Sequence, residues 1–175
     1  TSFKLKHAID TGSILLQKEI QIYNSDNATA LHDRMMYVAA DTVYDTVKLI
    51  ERDQAVPVPQ SDDGVSHAPK LNRENTELTF DKKCQEAYDF VRGLSMYPVA
   101  WFSLGKSALK VYRSEVELSD HDFKTGTIFS DNKSFIKVAC KDGFIKLLDV
   151  QLTGKKRMPV VDFLNGFDMS EYISV

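Results

Sequence analysis

Phe135-Ile136-Lys137-Val138-Ala139-Cys140-Lys141-Asp142-Gly143-Phe144-Ile145-Lys146-Leu147-Leu148-Asp149-Val150-Gln151-Leu152 is two apolar runs joined by an Asp-Gly pair. Each run is the length of a strand, and Asp-Gly is a strong short-range turn signal. The stretch therefore predicts a hairpin of strands Phe135–Cys140 and Phe144–Leu152. Reading outward, Val99–Leu104, Leu109–Leu118 and Gly126–Phe129 have the same character, and Gly105-Lys106 and Asp131-Asn132 punctuate them. Five short strands with tight turns predict a small barrel, of which the OB-fold is the commonest five-stranded form. Beyond the last strand, Pro159 suits the first turn of a short helix at about Val160–Asn165.

Upstream the period changes. A helix is expected from about Asp81, a plausible N-cap, to Gly93, with Cys84, Ala87, Tyr88 and Val91 as its apolar stripe. Residues 52–69, with Val56-Pro57-Val58-Pro59 and Ser61-Asp62-Asp63-Gly64, have the composition of an extended linker. Before them, Asn24-Ser25-Asp26-Asn27 is a helix start. Leu31, Met35, Val38, Thr42, Val43, Val47 and Ile50 then recur at helical spacing, which predicts a helix packed on a sheet. Phe3, Leu5 and His7 alternate with Lys4 and Lys6 as in a strand over 2–9, Asp10-Thr11-Gly12-Ser13 is a turn, and a second strand is expected at Ile14–Ile22. The expected organisation is a strand-loop-strand-helix segment at 1–53, a linker at 54–72 and a barrel domain at 73–175. Thr1 leads straight into a strand pattern, so the first segment is expected to begin inside a domain.

The bulk numbers describe an ordinary globular chain, with 43% hydrophobic and 27% charged residues. No apolar run approaches membrane-spanning length, and no leader with an apolar h-region is visible. Cys84 and Cys140 have neither metal-ligand nor disulfide-framework spacing, so both are expected to be reduced core thiols of a cytoplasmic protein, with no metal site. The net charge of −3 hides a local excess. From Asp131 to Met158, seven basic side chains face three acidic ones. Lys133, Lys137 and Lys141 fall on one strand face, Lys155-Lys156-Arg157 forms a basic turn, and Lys110 and Arg113 extend the set. Such a patch is what an anionic partner feels. Trp101, Tyr97 and Tyr112 have faces on which bases can stack, but core or rim positions are the simpler expectation for each.

Two motifs invite readings that fail. Asp10-Thr11-Gly12-Ser13 has the form of an aspartic-protease signature, yet no second Asp-Thr-Gly or Asp-Ser-Gly follows and a long helix comes too soon. Gly154-Lys155-Lys156 looks like the end of a phosphate-binding loop, but the preceding glycine is Gly143, far outside that pattern.

A better context exists for both. Lys6-His7-Ala8-Ile9-Asp10-Thr11-Gly12-Ser13-Ile14-Leu15 resembles the strand-loop segment of folate-dependent formyltransferases, and Ala30-Leu31-His32-Asp33-Arg34 continues into that domain's last helix. Val150-Gln151-Leu152-Thr153-Gly154-Lys155-Lys156-Arg157-Met158, followed by Asp162-Phe163-Leu164-Asn165-Gly166, is similar to the C-terminal domain of methionyl-tRNA formyltransferases. Arg92-Gly93-Leu94 and Pro98-Val99-Ala100-Trp101 resemble the beginning of that domain. The departures are Ser13 for a usual Asp, and Ser95 and Val99 where Pro and Gly are common.

The resemblance implies a mainly β fold with some α: an OB-like five-stranded barrel preceded by the remnant of an α/β, Rossmann-like formyltransferase domain. It implies transfer of a formyl group from 10-formyltetrahydrofolate to the amino group of methionyl-initiator tRNA, with Asp10 catalytic. It makes Lys110, Arg113, Lys133, Lys137, Lys141, Lys155, Lys156 and Arg157 candidates for tRNA contact. In this family an Asn and a His complete the site from an upstream segment. None of His7, His32, His67 and His121 sits in the expected Asn-x-His-Pro setting, so this stretch is expected to be inactive by itself and to bind no folate. No membrane or protein partner is implied, although an uncovered face at residues 1–50 is expected to favour self-association. Two other readings compete: a stand-alone RNA-binding OB module, and a fragment of a related folate-dependent hydrolase or transformylase.

Overall fold

A computed structural model of the chain describes residues 1–61 and 63–173; Asp62 of the expected linker, and Ser174 and Val175 at the end of the expected barrel domain, lie outside the described residues. The chain divides into two compact units, Thr1–Pro69 and Lys70–Val175.

In the first unit, β1 (Ser2–Phe3) and β2 (Ile14–Leu16) pair antiparallel. Both are shorter than their alternation predicts. The Lys4 amide still reaches the Ser13 carbonyl (2.9 Å), but residues 5–10 run out as an exposed loop. With no further strand beside it, the pattern has no ladder to join. Helix α1 (Ala28–Glu51) follows, and the Asn27 side chain caps it by accepting from the Ala30 amide at 2.9 Å. Buried Asp26 accepts from the two terminal Arg34 guanidinium nitrogens, Nη1 and Nη2 (2.7 and 2.6 Å), tying the approach to the helix to its second turn.

The expected burial of α1 needs correction. Met35, Val43, Val47 and Ile50 are exposed, whereas Thr42 and Thr46 are buried. The two threonines return their hydroxyls to the Val38 and Thr42 carbonyls (2.6 and 2.7 Å), and Thr46 also meets the Ser2 hydroxyl at 2.7 Å. A ribbon this short covers a narrow polar strip of the helix and leaves the broad apolar one open.

In the second unit a 3-10 turn (Glu74–Thr76) precedes α2 (Cys84–Leu94). The helix starts three residues later than expected, and Asp81 is not its cap. Asp142, from the hairpin turn, accepts the Cys84 amide at 2.7 Å, and Glu86 accepts the Lys83 amide at 2.8 Å. Asp81 instead faces Lys141 across the same junction at 3.2 Å. The strands are β3 (Ala100–Leu104), β4 (Ser107–Leu118), β5 (Ile128–Ser130), β6 (Ile136–Ala139), β7 (Gly143–Leu152) and β8 (Met158–Pro159), and α3 (Val160–Leu164) follows. Their order is β3-β4-β7-β6-β5, with β8 also on β7, and every pairing is antiparallel. The sheet curls into half a barrel, and register shifts between Val111 and Ser114 mark the bulged part of the long β4.

The concave face buries Phe102, Leu104, Leu109, Val111, Ile145, Leu147 and Val150 against Cys84, Ala87, Val91 and Leu94 of α2 and Val160, Phe163 and Leu164 of α3. Cys84 and Cys140 are free and fully buried in this core, and burial pushes both thiols up from their ordinary range, which makes them inert.

Because the Cys84 amide donates to it, the Asp142 carboxyl is held below its ordinary value. A lowered folded-state pKa stabilises the fold above the ordinary carboxylate value, about 4, and that contribution is lost as pH falls through the folded value. Asp142→Ala is expected to cost about 1 kcal/mol near neutrality and to flatten the acid limb of stability. Thermal melts from neutral pH into the acid range check this, and an unchanged acid limb would refute the role of Asp142.

Candidate nucleic-acid interface

In the first unit, the loop that carries Asp10 is fixed by its backbone. Gln60 donates its amide to the carbonyls of both Asp10 (2.9 Å) and Gly12 (2.6 Å). Val58 and Ile14 exchange amide-carbonyl bonds of 2.8 Å, so the first part of the expected linker lies along this loop. Gly12 packs so closely on Lys4 that a Cβ there would lie 1.8 Å from the Lys4 carbonyl oxygen. Asp10 adopts a left-handed conformation (φ 56°) and is exposed. Of the four histidines, His32 lies beside Asp33 and His121 is bonded to the Gly143 carbonyl.

The eight basic candidates fall into two kinds. Lys137 pairs with Glu117 at 2.5 Å and lies over the Phe144 ring; Lys141 pairs with Asp81; Arg157 is bound through Nε to Asp149 at 2.8 Å and stacks 4.4 Å from the Tyr112 ring centre. The Asp149 hydrogen bond raises the Arg157 pKa further above its ordinary value. Lys110, Arg113, Lys133, Lys155 and Lys156 are exposed and make no ion pair among the described residues. Lys155 and Lys156 sit in a turn whose geometry is set by Gly154 (φ 77°) and by Gln151 donating to the Lys155 carbonyl at 2.8 Å. Lys133 is displayed by another tight turn. There the Asp131 carboxylate accepts the Ser134 hydroxyl and the amides of residues 133–135, which holds its pKa well below the usual range.

The candidates do not form one track. Lys110 lies opposite Gln151, whereas Lys137 lies opposite Lys146. Those two β7 positions are about 17 Å apart along an extended strand. Lys137 and Lys146 flank a depression with Ser134, Phe135 and Glu117. Lys110 belongs to a second groove of about 470 Å³, which also includes Arg73, Tyr97, Trp101, Gln151 and Gly154.

That groove changes the standing of the aromatics. Trp101 lies on the outer side of β3, its indole donates to the Arg73 carbonyl at 3.0 Å, and the Arg73 guanidinium lies 4.3 Å from the ring centre. Tyr97 is 90% exposed. Tyr112 does pack at a rim, donating to Gln151 at 2.7 Å beneath Arg157. Arg73 was invisible to pattern reading, because it lies 28 residues from Trp101 in an irregular segment.

Among the described residues no helix is long and apolar enough to cross a membrane, and no three His, Cys, Asp or Glu side chains are placed to hold a metal ion. Residues 70–168 match the family described as formyl transferase, C-terminal domain. The chain belongs to that family. The formyl transferase C-terminal domain thus coincides with the half-barrel unit, and similarity extends beyond it to residues 1–69. A methionyl-tRNA formyltransferase of Phocaeicola vulgatus is 41% identical over 98% of this chain, and that of Flavobacterium johnsoniae is 39% identical over 100%. The chain spans 56% and 57% of those proteins, about half the length of the curated relatives it matches.

Solved structures share the fold. Methionyl-tRNA formyltransferase from Clostridium thermocellum is 22% identical with a TM-score of 0.53, covering 81% of this chain and 55% of its own. HypX from Aquifex aeolicus, solved in complex with tetrahydrofolic acid, is 14% identical with a TM-score of 0.63, covering 93% of this chain and 29% of its own.

Proposed function

We propose that this chain is the tRNA-binding part of a methionyl-tRNA formyltransferase, which moves a formyl group from 10-formyltetrahydrofolate to the amino group of methionyl-initiator tRNA in the cytoplasm. On this reading, residues 1–53 complete the formyltransferase domain and contribute Asp10, 54–72 form the linker, and 73–175 form an OB-like barrel that grips the tRNA backbone. The observation that carries the RNA reading is the set of exposed, unpaired cations Lys110, Arg113, Lys133, Lys155 and Lys156 on a fold of this family. The length-wide similarity to methionyl-tRNA formyltransferases supports the choice of RNA. Lys137, Lys141 and Arg157 act on this reading as second-rank contacts, because each must leave a carboxylate to reach a phosphate.

The 175 residues alone are expected to show no formyl transfer above blank in a radiolabel assay, since none of the four histidines lies in the Asn-x-His-Pro setting that would stabilise the oxyanion. The exposed α1 face built on Val43, Val47 and Ile50 is expected to promote self-association; a clean monomer by sedimentation at high concentration would count against that.

Initiator-tRNA binding across a salt series tests the RNA reading. Each phosphate neutralised contributes about 0.9 to the slope of log affinity against log salt. Lys155→Ala with Lys156→Ala is expected to lower the slope by roughly 1.8, and adding Arg157→Ala to change it little. Absence of binding at low salt would remove the RNA-binding role from this barrel.

A further inference from the structure

The groove beside Trp101 differs in kind from the lysine turns. Trp101, Lys110 and Gln151 are neighbours in register across β3, β4 and β7, so indole, ammonium and amide share one patch of the outer sheet surface. The 3-10 turn supplies one wall, with Thr76 lining the groove next to Arg73, and Tyr97 stands at the mouth. No carboxylate lines the groove. Neither Arg73 nor Lys110 makes an ion pair among the described residues.

The hydrogen bonds already made narrow the ligand further. The indole nitrogen is committed to the Arg73 carbonyl. Gln151 is committed at both ends: its oxygen accepts from Tyr112 and its nitrogen donates to the Lys155 carbonyl. What remains for an incoming molecule is a flat, positively charged guanidinium-indole stack with the Lys110 ammonium beside it. That combination fits a planar, anionic ligand, and the volume of about 470 Å³ falls in the range of a small-molecule site.

We propose that this groove holds one unpaired nucleotide of the RNA partner, its base extending the Arg73–Trp101 stack and its phosphate on Lys110. The proposal rests on the RNA-binding reading and deepens it: the barrel then senses a single-stranded element as well as backbone charge. Bases stack on aromatic rings and on guanidinium planes with little regard to sequence. A base inside a duplex is already stacked on its neighbours and has no free face to offer this groove.

Trp101 is the one tryptophan in the sequence, so intrinsic fluorescence reports on this groove directly. The chain is titrated with a short single-stranded oligoribonucleotide and with a fully paired RNA duplex of matched length, while end-labelled copies report total binding by anisotropy. The single strand is expected to change Trp101 emission saturably, and the duplex to bind without doing so. Arg73→Ala is expected to weaken single-strand binding by roughly tenfold and to leave duplex affinity within about twofold, with circular dichroism confirming the fold. If both RNAs bind and Trp101 emission is unmoved, or moves equally for both, the nucleotide site is overturned and the RNA-binding reading stands. If neither binds, both fall. Emission that responds to 5-formyltetrahydrofolate but to neither RNA also overturns the proposal, by making the groove a pteridine site.

Discussion

On the proposed reading, Asp10→Asn in the whole formyltransferase is expected to lower kcat for formyl transfer by about two to four orders of magnitude, with little change in KM for the tRNA. Attack by the amine on the formyl carbon builds a tetrahedral oxyanion and leaves a proton on nitrogen, and a carboxylate placed to accept that proton has no substitute in an amide. Asn is the right replacement because the backbone will accept it. Asp10 sits at φ 56°, a conformation Asn tolerates better than most residues. The loop is held through the carbonyls of residues 10 and 12 rather than through the carboxylate. The shape of the loop therefore survives while the chemistry is removed. Single-turnover kinetics with saturating tRNA and 10-formyltetrahydrofolate make the measurement, and a variant within threefold of the parent would show that Asp10 is not the proton acceptor.

The second large effect concerns the turn between β6 and β7. Gly143→Ala is expected to destabilise the barrel unit by about 3 kcal/mol or more, which lowers its melting temperature by roughly 10 °C. Gly143 has φ 149°, where a side chain is strained. An added Cβ would lie 2.2 Å from the Glu117 carbonyl oxygen and 2.9 Å from the Leu118 Cα. These are backbone atoms of the paired strand β4 and cannot swing aside, so relief requires parting β4 from β7 at its end. The Gly143 carbonyl also accepts from the His121 ring at 2.9 Å, and that ring packs on Phe123 and Phe144. Gly154→Ala is the control. It also has positive φ (77°), but no atom lies within 4 Å of the added carbon. Its expected cost is only the conformational one, roughly 1–2 kcal/mol. Equal urea midpoints for the two variants would refute the steric argument at Gly143.

What the sequence made legible follows from the range of the interactions. The hairpin around Asp142-Gly143 and the α1 register depend on near neighbours, and alternation or helical spacing records them directly. The helix cap at Cys84 depends on Asp142, 58 positions away. Asp81, the nearest acidic residue of the right type, therefore attracted a role that a distant one fills. The burial of Thr46 and the exposure of Met35, Val43, Val47 and Ile50 were hidden for another reason. Periodicity identifies which face of α1 is apolar, but only the width of its neighbours decides which face is covered. In the basic patch, residue type located the cations, whereas the carboxylates that quieten Lys137, Lys141 and Arg157 arrive from other strands and segments. The Arg73–Trp101 stack belongs with these. Arg73 carries no signal by itself, and the pairing of Glu77 and Leu78 with Trp101 is what brings the two together.

The two hydrogen bonds from Gln60 also set where the chain tolerates a change of length. Residues added after Gln60 leave the Asp10 loop in its present shape. A single residue added or removed between Val58 and Gln60 shifts the amide off both carbonyls at once. Engineering that varies the spacer between the two units, by insertion or by fusion of a reporter, therefore has its safe ground downstream of Gln60, and a cut made a few positions earlier disturbs the Asp10 loop without touching any residue in it.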